Sequence, residues 1–211
     1  MDSTRQEFPR LASPAAGLQP IDDWHICISG FRQPPGYPSG IQTVWSRLRR
    51  AHNNGRVAVE YWEWCAAWDQ VAELIWNFRR PGHVPRVFIY AYSWGGGWGF
   101  TRLARALQKR GIEVPTAVLC DPVYCSPLWV GWFAAFLSWK TIRVPANVKR
   151  VLHFFQRQNW PRGHRPVAVD PSATLVEPGR ELRLEHHYMD DAEEFQSLCV
   201  DVAKKASSDL H

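Results

Sequence analysis

The sequence lacks the patterns that mark disulfide-rich, zinc-ribbon and membrane-spanning proteins. Its five cysteines are an odd number and include no Cys-x-x-Cys pair, which argues against a disulfide scaffold or a zinc ribbon. The longest strongly apolar stretch without charge is Leu128–Trp139. As a helix it would span only about 18 Å, whereas bilayer hydrocarbon is about 30 Å thick, so no transmembrane segment is predicted. Residues 1–22 show no basic start followed by an apolar run, so we expect no secretory signal and a reduced, cytoplasmic compartment.

Basic residues are in slight excess, but they are not concentrated in one stripe. Lys and Arg number 25 against 20 Asp and Glu, a net charge of +5, and no nucleic-acid-binding motif accompanies them. We therefore expect no nucleic-acid partner. The 211 residues, 45% hydrophobic and 21% charged, suit a folded chain with one domain. Residues 1–22 are predicted to form a flexible tail, and residues 23–211 a single domain.

Short apolar runs alternate with amphipathic segments along the chain. Six strands are predicted, at Trp24–Ser29, Val57–Trp64, Arg86–Tyr92, Thr116–Cys120, Val148–Phe155 and Leu182–His186. Four helices are predicted, at Ile41–Ala51, Trp68–Phe78, Phe100–Arg110 and from about Asp191 to Lys205. This alternation predicts an α/β fold with a mostly parallel central sheet flanked by helices. Asp190 and Glu193 have the spacing of a capping box at the start of the last helix.

A sharp glycine-rich turn separates the third strand from the third helix. Its sequence is Ala91-Tyr92-Ser93-Trp94-Gly95, with small residues two positions either side of the serine. Small neighbours permit a tight reversal that projects the hydroxyl beside the amino end of a helix. The following run, Gly95-Gly96-Gly97-Trp98-Gly99-Phe100, fails G-x-G-x-x-G, so a phosphate-binding loop is not predicted.

This turn resembles the nucleophile elbow of the α/β-hydrolase superfamily, with Ala91 where the family pattern has glycine. The resemblance runs from about Trp24 to the C-terminus. It implies a compact α/β-hydrolase fold and an activity like that of small lipases, esterases or thioesterases. Ser93 would then be the nucleophile.

A serine nucleophile requires a base, and the base requires an acid that orients it. The family's chain order of Ser, Asp or Glu, then His implies Asp121 as the acid, because it ends the fourth strand, with Asp170 as the alternative. The base is expected between the last strand and the last helix. There the alternation of the preceding leucines favours His186 over His187. His25 and His153 fall within predicted strands and are expected to be satisfied core histidines.

The resemblance also implies an oxyanion hole made of two backbone N–H groups. One would come from Trp94, the residue after the nucleophile. The other would come from the loop after the first strand, from Phe31 or alternatively Arg32, since Gly30 permits a close approach there.

Twelve tryptophans are many for a chain of this size. Several lie at or beyond the carboxyl ends of predicted strands, and four of these are assigned to substrate binding: Trp62, Trp64, Trp129 and Trp132. The segment 122–145 is predicted to be a lid-like insertion, and its apolar part, Leu128–Trp139, is a lid, a core element or a contact in a homo-oligomer. An apolar, lipid-like ester is therefore a plausible small-molecule substrate.

The residues favour a serine hydrolase that cleaves a carboxylic ester or thioester. The alternative is a catalytically inactive, hydrolase-like binding module. A metal enzyme using His186, His187, Asp190 and Asp191 is disfavoured, because adjacent residues of an extended chain point to opposite faces. No cofactor and no metal are expected.

Overall fold

Buried strands that pair in parallel form the centre of the structure. The structure is a computed structural model that describes residues 20–31, 39–52, 55–124 and 140–208. The strands are β1 (Asp23–Ile28), β2 (Val57–Trp62), β3 (Arg86–Tyr92), β4 (Ala117–Cys120), β5 (Ile142–Val144), β6 (Arg150–Phe155), β7 (Pro166–Ala168), β8 (Leu175–Val176) and β9 (Arg180–Glu181). The main sheet has the order β2-β1-β3-β4-β6-β8, with β9 also pairing with β6, and β5 pairs with β7 separately. Every pair in the described part of the chain is parallel, which confirms the predicted fold class.

In the described part of the chain, four α-helices cover the two faces of the sheet. They are α1 (Gly40–Ala51), α2 (Trp68–Asn77), α3 (Phe100–Gln108) and α4 (Glu193–Ser208). Helices α1 and α4 pack on one face and α2 and α3 on the other. Helix α1 buries Ile41, Val44 and Leu48, whose spacing of three and four residues places them on one side. Strand β1 is buried throughout because helices cover both of its faces.

The predicted sixth strand, Leu182–His186, is wrong. Strand pairing ends at Arg180–Glu181, with one further hydrogen bond from the Leu182 N–H to the Phe155 carbonyl (2.9 Å). The chain then enters a 3-10 helix at His186–Asp191. Leu182 and Leu184 pack, partly buried, against the core on the α4 side. Their alternation therefore reflects burial of an irregular segment, not pairing in a sheet.

The predicted capping box at the start of α4 is also wrong. Oδ2 of Asp190 instead accepts a hydrogen bond from the Ile41 N–H of α1 (3.0 Å), and Glu193 forms a two-bond ion pair with Arg47. The backbone of Asp190 lies so close to α1 that a Cβ on Gly40 would come within 1.8 Å of its carbonyl oxygen. Burial, with the nearby charge of Asp191, raises the pKa of Asp190 to about 6.

The carboxyl end of the predicted tail contacts the domain. Residues 1–19 lie outside the described residues, whereas Ile21 forms a bridge with Arg79 and Asp22 is buried beside Arg56. Of the predicted insertion, residues 125–139 also lie outside the described part. Within the described ranges, none of the helices is both long and apolar enough to cross a bilayer.

Candidate active site

Ser93 follows β3 in a strained backbone conformation. Its φ of 51° lies in the left-handed region, which costs a residue other than glycine about 1–3 kcal/mol. Surrounding backbone holds this conformation. The Ser93 N–H donates to the Cys120 carbonyl (3.0 Å), and the Ser93 carbonyl accepts from Gly96, Gly97 and Val123 (2.9–3.0 Å). The side chain is thereby fixed at the carboxyl edge of the sheet, with Ser93 only 5% exposed.

Close backbone packing explains why the residues around Ser93 are small. A Cβ on Gly95 would lie 2.4 Å from the Ser29 carbonyl oxygen, and one on Gly97 would lie 1.7 Å from that of Val123. A Cβ on Gly30 would lie 3.1 Å from the Cβ of Ser93. Gly30, in the loop after β1, therefore lies directly against the serine, which a larger residue there would prevent.

His186 lies beside Ser93, in the turn that precedes α4. Its Nε2 is 2.8 Å from the Oγ of Ser93. Its backbone is held at both ends, since the N–H donates to Oδ1 of Asn159 (2.7 Å) and the carbonyl accepts from the Tyr92 hydroxyl (2.8 Å). The Tyr92 ring also stacks on the imidazole, with 5.3 Å between centroids. These contacts fix the position and the tilt of the ring.

Asp121 follows β4 and is fully buried. Its Oδ2 is 2.6 Å from Nδ1 of His186, and its φ of 41° is, like that of Ser93, in the left-handed region. Oδ1 accepts from the Gly163 N–H (2.9 Å) and the Gln156 N–H (3.3 Å), and Oδ2 also accepts from Nε2 of Gln156 (3.1 Å). These donors compensate for the loss of water around the carboxylate. Because an ionised carboxylate can only accept, the tautomer that fits both contacts with a carboxylate at Asp121 carries its proton on Nδ1 and accepts from the Ser93 hydroxyl at Nε2.

Gln156 and Asn159 belong to this network, and sequence reasoning missed both. Gln156 is buried, and its Oε1 accepts from the N–H groups of Gln158 (2.6 Å) and Asn159 (3.0 Å). Its Nε2 also donates to the carbonyls of Asn159 (2.9 Å) and Pro161 (3.0 Å). Gln156 thus ties Asp121 to the segment that presents Asn159 to His186. The only sequence signal was its position directly after β6, at the same sheet edge as Ser93 and Asp121.

The alternative acid and base lie elsewhere. The Oδ1 of Asp170 accepts from the N–H (2.9 Å) and hydroxyl (2.6 Å) of Ser172 in an exposed turn, and these bonds lower the pKa of Asp170. The exposed His187 side chain lies 3.6 Å from the Glu185 carboxylate. Within the described residues, no group of three His, Cys, Asp or Glu side chains is arranged to hold a metal ion.

Three aromatic rings form a cluster next to Ser93. The rings of Phe31 and Trp94 stack with 4.3 Å between centroids, and Trp64 meets them edge-on at 5.8 and 4.9 Å. Trp94 directly follows Ser93, and Phe31 directly follows Gly30. The two residues predicted to form the oxyanion hole therefore both adjoin the serine, while the role of their N–H groups stays a prediction. Arg32 lies outside the described residues.

The four tryptophans assigned to substrate binding have different surroundings. Trp64 belongs to the aromatic cluster beside Ser93, whereas Trp62 packs against the core between the sheet and helices α2 and α3. Trp129 and Trp132 lie outside the described residues.

Comparison with known proteins gives a distant likeness at the level of structure. No protein-family model and no curated protein matches the chain. A structure of the RedJ thioesterase from the prodiginine biosynthetic pathway in Streptomyces coelicolor is 11% identical, covers 90% of each chain and has a TM-score of 0.44. A structure of RedJ with a PEG molecule bound in the active site is 13% identical, covers 96% of this chain and 98% of that chain, and has a TM-score of 0.45. Likeness at this level carries no argument about activity, which rests on the residues of this chain.

Proposed function

We propose that this protein is a serine hydrolase that cleaves a carboxylic ester or thioester through a covalent acyl-enzyme. The observation that supports the proposal is a continuous chain of three groups. Ser93 Oγ lies 2.8 Å from His186 Nε2, and His186 Nδ1 lies 2.6 Å from Asp121 Oδ2. A hydroxyl near neutral pH becomes an effective nucleophile when a base accepts its proton and an acid orients that base.

The proposed reaction has two half-reactions. Ser93 Oγ attacks the carbonyl carbon while its proton passes to His186 Nε2, and the bond to the leaving alcohol or thiol then breaks as His186 returns the proton to it. Water next attacks the acyl-enzyme with His186 again as the base, which releases the carboxylic acid and restores the Ser93 hydroxyl. Asp121 stays ionised throughout and stabilises the imidazolium form of His186.

Charge that develops on the carbonyl oxygen requires donors close to Ser93. The backbone N–H groups of Trp94 and Phe31 are proposed for this role, because Gly30, which directly precedes Phe31, lies against the serine. A single such donor stabilises the transition state by about 3 kcal/mol.

The surroundings of Ser93 support an apolar acyl group. The partly buried rings of Phe31 and Trp64 pack against the buried ring of Trp94, which directly follows the nucleophile. Burying a hydrocarbon acyl chain against such surface is favourable by about 25 cal/mol for each Å² removed from water. We therefore propose a lipid-like small-molecule ester or thioester as the substrate class.

Replacing the nucleophile tests the proposal. The Ser93→Ala variant is expected to lose hydrolysis of p-nitrophenyl octanoate and octanoyl thioesters by roughly 10⁴–10⁶-fold while retaining the circular dichroism spectrum of the wild type. Ser172→Ala, which removes an exposed hydroxyl, is the matched control and is expected to retain full activity. Equal rates for wild type and Ser93→Ala would refute the proposal. A folded wild type that hydrolyses no ester or thioester would instead indicate a binding module.

A further inference from the structure

A cavity of about 730 Å³ lies at the β6 edge of the sheet and has no part in the proposed reaction. It is bounded by β6, β7 and the segment 174–179. This segment includes β8 and the residues that connect β8 to β9, and both of these short strands pair with β6. Gly163 is in the cavity wall, and the N–H of that residue donates to Asp121. Its volume falls in the range of about 300–1,000 Å³ that is typical of small-molecule sites.

Most of the cavity wall is hydrocarbon. The apolar side chains in the wall include Phe155, Pro166, Val167, Ala168, Leu175 and Val176. Val167 and Leu175 are 40% and 59% exposed, unusually high values for aliphatic residues of strands. An apolar ligand body would remove this surface from water.

A buried histidine lies in the wall of the cavity. His153 is only 9% exposed, and its Nδ1 has no hydrogen-bond partner among the described residues, contrary to the prediction of a satisfied core histidine. Gly179 packs so closely on the ring that a Cβ there would lie 2.4 Å from Nε2. Burial and the positive charge of Arg165 lower the pKa of His153, so the imidazole is neutral near pH 7.

Arg165 brings a positive charge to the same wall. Across the described ranges its guanidinium has no acidic partner. The nearby Glu177, also in the wall, is neutralised by Arg150, whose Nε donates to its carboxylate (2.6 Å). The uncompensated charge of the cavity is therefore positive.

We propose that this cavity binds a small amphiphilic carboxylate, with the carboxylate at Arg165, a hydrogen bond to the His153 ring and the alkyl body against the aliphatic wall. Arginine pairs with carboxylates through two parallel hydrogen bonds, which suits a single negative head group. The proposal does not rest on Ser93 acting as a nucleophile. It defines a second ligand site, joined to the Ser93 site through Gly163.

Titration calorimetry with octanoate tests this site on the full chain. Octanoate is expected to bind wild type and Ser93→Ala with equal affinity, and more tightly than 1-octanol or octylammonium. Arg165→Gln alters an exposed residue and should leave the fold intact. It is expected to weaken octanoate binding at least tenfold and to leave 1-octanol binding unchanged. Arg183→Gln, which removes the same charge outside the cavity, is expected to bind octanoate like the wild type.

The location of the ligand is tested by two further measurements. Ala168→Phe fills the cavity and is expected to weaken octanoate and 1-octanol alike, and the imidazole ¹⁵N signals of His153 are expected to shift on titration with octanoate. Absence of octanoate binding at millimolar concentration would overturn the proposal. So would unaltered binding by Arg165→Gln, or octanoate binding without any change in the His153 signals.

Discussion

His186 and His153 are equally buried, at 9% exposure, yet their surroundings are opposite. His186 has Ser93 on one ring nitrogen and Asp121 on the other. His153 has a buried Nδ1 that no described residue pairs with. Burial by itself therefore does not distinguish the histidine proposed as the base from the histidine that lines the cavity. The hydrogen-bond partners of the two ring nitrogens do distinguish them.

The difference extends to the hydrogen bonds around each ring. Around His186 the donors and acceptors of Tyr92, Asn159 and Gln156 fix the backbone and the carboxylate, as preorganised catalysis requires. An unpaired buried polar atom, as in His153, costs about 1–3 kcal/mol.

The largest expected effect is a loss of activity on replacing His186 but not on replacing His153. His186→Ala removes the proposed base and is expected to lower kcat/KM for p-nitrophenyl octanoate by roughly 10⁴–10⁶-fold. His153→Ala is the matched control, because the two histidines are buried to the same extent. It is expected to change kcat/KM by less than about threefold, as expected of a residue outside the reacting groups. Similar losses in both variants would show that His186 has no special role.

Replacing the acid tests the second half of the relay. Asp121→Asn preserves the shape of the side chain but removes its charge, and the amide no longer imposes the required tautomer on His186. Such a change is expected to lower kcat by about 10⁴-fold. Asp170→Asn, in the exposed turn, is expected to leave the rate unaltered. A loss that appears in Asp170→Asn instead would reassign the acid.

Gln156 tests whether the hydrogen bonds that position Asp121 affect the rate, because it contacts the acid and is not proposed to touch a substrate. Gln156→Leu removes the side-chain hydrogen bonds to Asp121 and to the segment 158–161 and keeps only the backbone bond from the Gln156 N–H to Asp121. A misplacement of about 1 Å lowers rates on the order of 10²-fold. We expect kcat to fall by that order with little change in KM, and exposed Gln158→Leu to behave as wild type. Gln156→Glu places a negative charge near His186, so the acidic limb of the pH profile should move to higher pH. An unmoved limb would indicate a merely structural role.

Asp190 tests whether burial without an ionic partner has a measurable cost. Its pKa is raised from 3.8 to about 6, so the native state retains a proton that the unfolded chain has lost. Stability therefore falls as the pH rises from about 4 to 6, by roughly 3 kcal/mol at most. Asp190→Asn is expected to raise the free energy of unfolding at pH 8 by about 1–2 kcal/mol, since a weaker hydrogen bond to Ile41 offsets part of the gain. Urea titrations at pH 4 and pH 8 check this, and a variant less stable at pH 8 would contradict it.

The sequence predicted the positions of residues that follow strands. It did not predict the hydrogen-bond partners of residues that contact distant segments of the chain. Ser93 and Asp121 each follow a strand of an apolar run, and parallel pairing brings both strand ends to one edge. The capping role of Asp190 was misassigned because its partner Ile41 lies 149 residues away along the chain. Nδ1 of His153 lacks a described partner because of the path of the chain between β8 and β9, at the edge of β6. No local sequence pattern predicts that path.

Covalent labelling tests the central claim most directly. Wild-type protein is treated with a fluorophosphonate at pH 8, digested and analysed by mass spectrometry. One phosphonyl adduct is expected, on the Oγ of Ser93, with labelling greatly slowed in His186→Ala and unaltered in His153→Ala. A folded wild type that acquires no adduct, or one modified at another residue while Ser93 stays free, would contradict the assignment of Ser93 as the nucleophile.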